Sequence, residues 1–307
     1  MFEVKHCLVV LDPDSTQQNA LDAALRWSAK EPMEFELVAC DDAPVLDPGY
    51  YFYDLERMAP KKAARDARLN DFLQTQAQPL IDQGLTVKTQ ILEGHPVYES
   101  IVRYVAHSQP DMVFENASYH SRLEDLFLSN RDWQLIKACP APLLLSKRRQ
   151  WREHPVIIAA VDPLHGKDEH VTLDRQILYA AKHFADLFDA ELHVFHSINQ
   201  VLFSGTPLQE AHDIHEQKCL ELLNSVDIAD DRLMLEDLPV QAVLPVIAKE
   251  LQADLVVMGA VSRSRLGDIF IGNTAEQVLD DLDTDTLIIK PEGFQSPVRA
   301  LPNPLAS

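Results

Sequence analysis

Two glycine-containing segments in the last third of the chain have the residue types of an anion site. The first, residues 258–262, ends a short apolar run, and the second, residues 272–276, opens a helix-like segment. A glycine lets the backbone approach an anion closely, and the free N–H groups at a helix N-terminus point toward it. Asn273 can add a hydrogen bond from its side chain. Gly259, Gly272, Asn273 and Thr274 are therefore residue types that suit a phosphate at this junction.

The same residues also have a purely structural interpretation. Thr274-Ala-Glu-Gln277 matches the pattern of a capping box, in which Thr and Gln satisfy the first N–H groups of a helix. Gly272 would then only make the turn into that helix. The sequence leaves both interpretations open.

Enzymatic machinery is not visible among the sequence motifs. The chain has no G-x-S-x-G nucleophile elbow, no H-E-x-x-H zinc motif and no P-loop lysine. His212, His215 and Cys219 have the spacing to share one helix face as metal ligands, but no fourth ligand is evident. A solvent-facing amphipathic helix is the favoured interpretation, so we predict neither catalysis nor a metal site.

The charge balance restricts the partners. The 48 acidic and 27 basic residues give a formal net charge of −21, while the hydrophobic fraction of 46% is that of a globular protein. Such an acidic surface repels phosphate backbones and anionic lipids, which excludes nucleic acid and membrane surfaces as charge-driven partners.

The start of the chain carries no export signal, and no apolar run approaches the roughly 18 residues of a membrane helix. We expect a cytoplasmic protein.

An internal repeat decides the architecture. With an offset of 143, residues 93–147 align with residues 236–290 without a gap, and identical pairs include Asp111 with Asp254 and Asn130 with Asn273. Earlier segments repeat at offsets of 150 to 152, so the difference in length is confined to loops. A repeat of this length indicates two copies of one domain.

Each copy reads as strands alternating with helices. Leu8–Leu11 and Ile157–Val161 are short buried strands, each closed by an Asp-Pro turn, and apolar residues at helical spacing follow both. Four further strands and three further helices follow in each copy. This alternation predicts an α/β fold of two tandem doubly wound parallel sheets, each with five strands.

The glycine segments carry a family resemblance. The second copy resembles the universal stress protein family, whose nucleotide-binding members have G-x2-G-x9-G-[S/T] at this strand-loop-helix junction. Gly259, Ser262 and Gly272 occupy the three glycine positions here, and Asn273 occupies the hydroxyl position. The resemblance covers nearly the whole chain and implies the fold of adenine nucleotide alpha hydrolases, with the two copies related by a pseudo-two-fold axis.

The resemblance implies a ligand and an asymmetry between the copies. Asp162 matches the acidic residue that recognises the adenine and ribose end of ATP, and Thr274 lies beside the phosphate loop. The first copy has Asn116, Tyr119 and Ser129 at the glycine positions. We therefore expect ATP or another adenine nucleotide, if bound, only in the second copy, and we expect the first copy to serve as a partner surface.

The resemblance also sets expectations for organisation and function. A degenerate domain is expected over residues 1–148, a second domain with a partial nucleotide loop over 154–292, and a mobile tail over 293–307. The expected role is non-catalytic, in stress survival, with the two domains pairing through their fifth strands and a homodimer as a further possibility.

A weak ATP-hydrolysing enzyme is one alternative. The other is a module that binds an apolar small molecule between the domains, held by long connections that contain Tyr50–Tyr53 and Val201–Phe203.

Overall fold

The first copy of the repeat alternates strands and helices in the expected order. The computed structural model describes residues 2–41, 55–117, 119–122, 125–147, 150–164, 168–198, 208–263 and 269–298. The elements of the first copy are β1 (His6–Leu11), α1 (Asn19–Ser28), β2 (Glu34–Asp41), α2 (Leu55–Asp82), β3 (Val87–Glu93), α3 (Val97–Ser108), β4 (Met112–Asn116), β5 (Tyr119–Arg122), β6 (Asp125–Leu128), α4 (Asn130–Ala138) and β7 (Leu143–Ser146).

The second copy repeats this order. Its elements are β8 (Val156–Ala160), α5 (Asp168–Phe188), β9 (Glu191–Ser197), α6 (Leu208–Ser225), a short 3-10 turn (Asp230–Arg232), β10 (Leu233–Glu236), α7 (Val240–Glu250), β11 (Leu255–Gly259), β12 (Val261–Arg263), β13 (Ile269–Ile271), α8 (Asn273–Asp281) and β14 (Asp285–Ile289). The five expected strands of each copy are therefore present.

Each copy also contains an antiparallel hairpin that the sequence did not predict. β5 pairs with β6 in the first copy, and β12 pairs with β13 in the second. Both hairpins lie between the fourth strand and the fourth helix, where we expected a loop. Their strands are only three or four residues long, which is too short for the alternation of side chains to stand out in the sequence.

The chain divides into two units that do not coincide with the two copies. The N-terminal unit contains mainly Val4–Asn116 and Asn130–Ala141, and its strands lie in the order β4, β1, β2, β3, all parallel. The C-terminal unit contains mainly Ala117–Ser129 and Pro142–Gln295. The hairpin β5–β6 and the strand β7 of the first copy thus belong to the C-terminal unit.

The sheet of the C-terminal unit has the strand order β10, β9, β8, β11, β14, β7. Its first five strands are parallel, and β7 pairs antiparallel with β14, so that Leu144 lies opposite Leu287. The expected pairing of the two fifth strands is therefore present inside this unit. Since chain order reverses between β8 and β11, the carboxyl ends of these strands form the crevice in which such sheets bind ligands.

The central strands are buried along almost their whole length. Cys7–Leu11 of β1, Leu255–Met258 of β11 and all five residues of β14 are buried. This is the pattern of parallel strands that helices cover on both faces, and it explains why these segments read as continuous apolar runs.

The repeated aspartates Asp111 and Asp254 have a structural role. Oδ2 of Asp111 accepts hydrogen bonds of 2.9 Å from the backbone N–H groups of Lys5 and His6, just before and at the start of β1. Asp254 accepts one of 2.9 Å from the N–H of Val156 at the start of β8. Each carboxylate therefore ties the first strand of its copy to the fourth, which accounts for the identity between the copies.

Two expectations fall partly outside the described residues. Tyr50–Tyr53 and Val201–Phe203, which were expected to hold an apolar ligand, lie outside them. The expected tail is described only as far as residue 298, and within it the N–H of Phe294 donates to the carbonyl of Pro291. In the part of the chain that the structure describes, no helix has the length and hydropathy of a membrane span.

Candidate functional site

A pocket of about 380 Å³ lies at the carboxyl ends of β8, β9 and β11. It sits beside the crevice between β8 and β11 and extends to the first turns of α7 and α8 and to Leu173, Asp174 and Ile177 of α5. Four of the six residues singled out from the sequence line it, namely Asp162, Gly259, Gly272 and Thr274. The pocket therefore lies at the strand ends, where open parallel sheets bind ligands.

The other two residues lie close by in the chain but have different positions. Asn273 is the first residue of α8 and is exposed, and it is not among the residues that line the pocket. The backbone of Ser262 lies in β12, opposite Phe270 of β13, and its side chain is outside the described part of the structure. The pocket therefore brings together the glycines, Thr274 and Asp162.

The two glycines of the pocket differ in what surrounds them. A Cβ atom on Gly259 would lie 2.9 Å from Cδ2 of Leu173, so the absence of a side chain there allows α5 to pack against the end of β11. A Cβ atom on Gly272 would meet no atom within 4 Å. Gly272 therefore borders open space, and Gly259 is required by packing.

The capping-box interpretation of residues 274–277 is wrong. The N-cap residue of α8 is Gly272, its cap makes no side-chain hydrogen bond, and Thr274 is already the second residue of the helix. The N–H of Glu276 donates to the carbonyl of Gly272 at 3.0 Å and begins the helical ladder. The N–H groups of residues 273–275 precede that ladder, as at any helix N-terminus, and they belong to the turn that borders the pocket.

A second carboxylate, which the sequence did not single out, lines the pocket. Asp174 of α5 is only 5% exposed, and its Oδ1 accepts a hydrogen bond of 3.1 Å from the backbone N–H of Asp162. Asp162 itself is exposed at the rim. Asp174 lies in the second turn of α5, and no local signal in the sequence marks it as a pocket residue.

One histidine of the wall is stacked on a second histidine behind it. His196 of β9 lines the pocket, and its ring centroid lies 4.9 Å from that of His215 on α6. Nδ1 of His196 lies 2.9 Å from the carbonyl oxygen of Val161, and Nε2 lies 2.6 Å from Nδ1 of His215. Because only an N–H can face a carbonyl, His196 carries its proton on Nδ1 and accepts through Nε2.

Burial governs the charge of this pair. Both rings are buried, and burial is the main reason that the pKa of His196 and the pKa of His215 lie below the ordinary value of 6.5. The carboxylate of Asp162 acts in the opposite direction on both pKa values. The pair is therefore neutral at neutral pH.

The helix that carries His212, His215 and Cys219 is amphipathic, as expected, and His215 and Cys219 lie on its buried face. His215 and Cys219 are buried against the sheet, and burial raises the pKa of the Cys219 thiol to about 12. His212 is half-buried and lies with the exposed Asp213 and Glu216, whose ligand atoms are within 4.8 Å of its own. The apolar side of α6 therefore includes His215 and Cys219.

The equivalent place in the first copy is filled by an ion pair. Arg131 of α4 donates a hydrogen bond to the carboxylate of Glu115 at the end of β4, and Glu115 is completely buried. Burial raises the pKa of Glu115 to about 7, although Arg131 acts to lower it. At an offset of 143 these two positions correspond to Thr274 and Met258 of the second copy, both of which line the open pocket.

A residue of the first copy supports the helix of the pocket. Lys147, which follows β7, is 3% exposed, and its Nζ donates to the carbonyl oxygens of Leu279 and Leu282 at the end of α8. Its backbone N–H donates to Asp285 at 2.7 Å. A positive charge at a helix C-terminus is favourable, so Lys147 stabilises the helix whose N-terminus borders the pocket.

The fold is that of a known family of α/β proteins. The sequence profile of the Universal stress protein family matches residues 3–147 and 157–290, and the chain belongs to this family. Membership supports a role in the stress response.

Similar proteins cover nearly the whole chain. Universal stress protein E of Salmonella typhi is 27% identical over 97% of this chain and 98% of its own length. The crystal structure of a putative universal stress protein from Pseudomonas aeruginosa UCBPP-PA14 is 27% identical, with a TM-score of 0.74 and 94% of each chain covered. A functionally unknown protein from Pseudomonas aeruginosa PAO1 is 26% identical, with the same TM-score and coverage of 94% and 93%.

Proposed function

We propose that this protein is a non-catalytic tandem universal stress protein that binds an adenine nucleotide in its second copy. The observation that carries the proposal is the pocket at the carboxyl ends of β8 and β11, which gathers Asp162, Gly259, Gly272 and Thr274. These residues come from three separated parts of the chain. A ligand site requires such residues to meet in one pocket. Residues with separate structural roles would not have to meet.

The position of each residue supports a division of the pocket into two ends. Asp162 follows β8 and accepts hydrogen bonds as a carboxylate does, which suits the hydroxyl groups of a ribose. Gly272 and Thr274 lie at the N-terminus of α8, where free N–H groups and the helix dipole favour an anion. Asn273 and Ser262 complete the proposed loop by their positions in the family pattern.

The chemistry of the wall favours binding without turnover. The titratable groups among the described lining residues are Asp162, Asp174 and His196. Phosphoryl transfer is accelerated by cations that neutralise charge on the phosphate oxygens, and neither a carboxylate nor a neutral histidine supplies this. Weak ATP hydrolysis is the second candidate, because Asp174 could orient a water molecule near a bound phosphate.

Titration calorimetry with ATP tests the proposal on the wild type and on Gly272→Asp. The variant should fold, because Gly272 has open space around it and Asp is a favoured N-cap residue. Its carboxylate should repel the phosphates and weaken ATP binding at least tenfold, which corresponds to about 1.4 kcal/mol.

Asn130→Asp is the matched control, since it adds the same charge at the exposed start of α4 in the first copy and should leave binding unchanged. Equal affinities in all three proteins would place the site elsewhere. Phosphate release from ATP, measured on the same samples, separates the two candidates. Release that is lost in Gly272→Asp would establish the enzyme.

The organisation of the chain is part of the proposal. The two matched regions, 3–147 and 157–290, support domains over residues 1–148 and 154–292 with a tail over 293–307. The internal pairing of β7 with β14 supports a role for the first copy as the partner of the second. We place the protein in the cytoplasm, and light scattering of the purified chain tests for a homodimer.

A further inference from the structure

The pocket of the second copy has an unusual charge for a nucleotide site. The described residues that line it carry two carboxyl groups, from the buried Asp174 and from Asp162 at the rim, and the backbone N–H of Asp162 donates to Oδ1 of Asp174. Most of the remaining wall is aliphatic or aromatic, including Leu173, Phe195 and Leu244. A phosphate in this pocket would face two acidic groups.

The histidine of the wall does not offset this charge. His196 has both of its ring nitrogens engaged, one with the carbonyl of Val161 and the other with His215. Burial keeps the ring neutral at neutral pH, so it presents no positive charge to a ligand. The N-terminus of α8 supplies only about half an elementary charge, whereas ATP carries several negative charges.

The same groups suit an uncharged, hydroxylated ligand. Carboxylate oxygens accept hydrogen bonds from hydroxyl groups, and an apolar wall covers the faces of a flat ring. A volume of about 380 Å³ lies at the lower end of the range for small-molecule pockets, which is roughly 300 to 1,000 Å³. The pocket therefore matches a nucleoside better than it matches a triphosphate.

We propose that the second copy recognises the uncharged nucleoside part of its ligand and selects against the triphosphate, so that adenosine binds at least as tightly as ATP. The proposal rests on the proposed function, because it concerns the same pocket and names the class of ligand, a neutral purine nucleoside. Asp174 and Asp162 are then the residues that determine specificity.

Calorimetric titrations of the full chain with adenosine, AMP and ATP, each with and without Mg²⁺, test the proposal. The expected order is adenosine first, AMP next and ATP last. Asp174→Asn removes one charge but keeps an acceptor for the Asp162 N–H, so it should raise the ratio of ATP affinity to adenosine affinity about threefold or more. Asp186→Asn, an exposed position on the same helix, removes the same charge and should change neither affinity.

The outcomes separate the two proposals. If ATP binds more tightly than adenosine, the selectivity is wrong and the nucleotide site stands. If neither ligand binds, both proposals are wrong. Because Asp174 is buried, Asp162→Asn at the exposed rim provides a second variant that should fold, and it should shift the ratio of ATP to adenosine affinity in the same direction. An unchanged ratio in both variants would overturn the role of the carboxylates.

Discussion

Arg131 and Glu115 form a buried ion pair at the place where the second copy of the repeat has an open pocket. Glu115 ends β4, and Arg131 reaches it from the first turn of α4. The corresponding residues of the second copy, Met258 and Thr274, leave this place accessible. The first copy therefore keeps the fold and fills the ligand position with its own side chains.

The ion pair should be replaceable by the residues of the second copy. Arg131→Thr alone leaves the buried carboxyl of Glu115 without its cation and should cost roughly 3 to 5 kcal/mol of unfolding free energy. The double variant Arg131→Thr with Glu115→Met removes both charges and should recover most of this loss, to within about 1 to 2 kcal/mol of the wild type. Urea unfolding followed by tryptophan fluorescence measures both.

The pH dependence provides the control for this interpretation. Burial raises the pKa of Glu115 to about 7 although Arg131 acts to lower it, so removing Arg131 raises this pKa further and opposes ionisation more strongly as the pH rises. The loss in Arg131→Thr should therefore be larger at pH 8 than at pH 6. A loss that is independent of pH, or a double variant no better than the single one, would show that Arg131 acts through packing.

The two glycines of the pocket should respond differently to the same substitution. Gly259→Ala places a methyl group 2.9 Å from Leu173 Cδ2, and shifting that side chain should cost roughly 1 to 3 kcal/mol. Gly272→Ala meets no atom within 4 Å and should change the unfolding free energy by less than about 0.5 kcal/mol. Thermal unfolding of the two variants side by side measures the difference. Equal costs would mean that Gly272 has a conformational role that its surroundings do not show.

The stacked histidines should make the folded chain sensitive to mild acid. Because burial holds the pKa of His196 and the pKa of His215 below 6.5, the unfolded chain takes up protons first as the pH falls. Stability is therefore unaffected by this pair above about pH 6.5 and decreases below it. The decrease in Tm between pH 7.5 and pH 5.5 should be smaller in His215→Gln than in the wild type.

His154→Gln is the matched control for this measurement, because the side chain of His154 is largely exposed. It should show the same decrease in Tm as the wild type. If His215→Gln and His154→Gln behave alike, the acid sensitivity arises from groups other than the stacked pair.

The residues of the candidate site were only partly predictable. Asp162, Gly259 and Gly272 follow strands or precede a helix, so a rule about strand ends finds them from local sequence. The segments that contain Asp174 and His196 show only the patterns of a helix and of a strand. Their place in the pocket depends on how α5 and β9 lie against β8, and nothing within either segment reports this.

The sequence by itself determined the repeat, the five strands of each copy that alternate with helices, and the family. These features depend on the spacing of residues along the chain, which hydrophobic periodicity reports directly. Only the tertiary structure decided that β7 and the β5–β6 hairpin belong to the C-terminal unit, that Arg131 fills the first site, and that His196 stacks on His215. The partners are 16 residues apart in the ion pair and 19 residues apart in the histidine pair. They meet because the sheet and its helices bring together side chains whose spacing along the chain follows neither a helical nor a strand period.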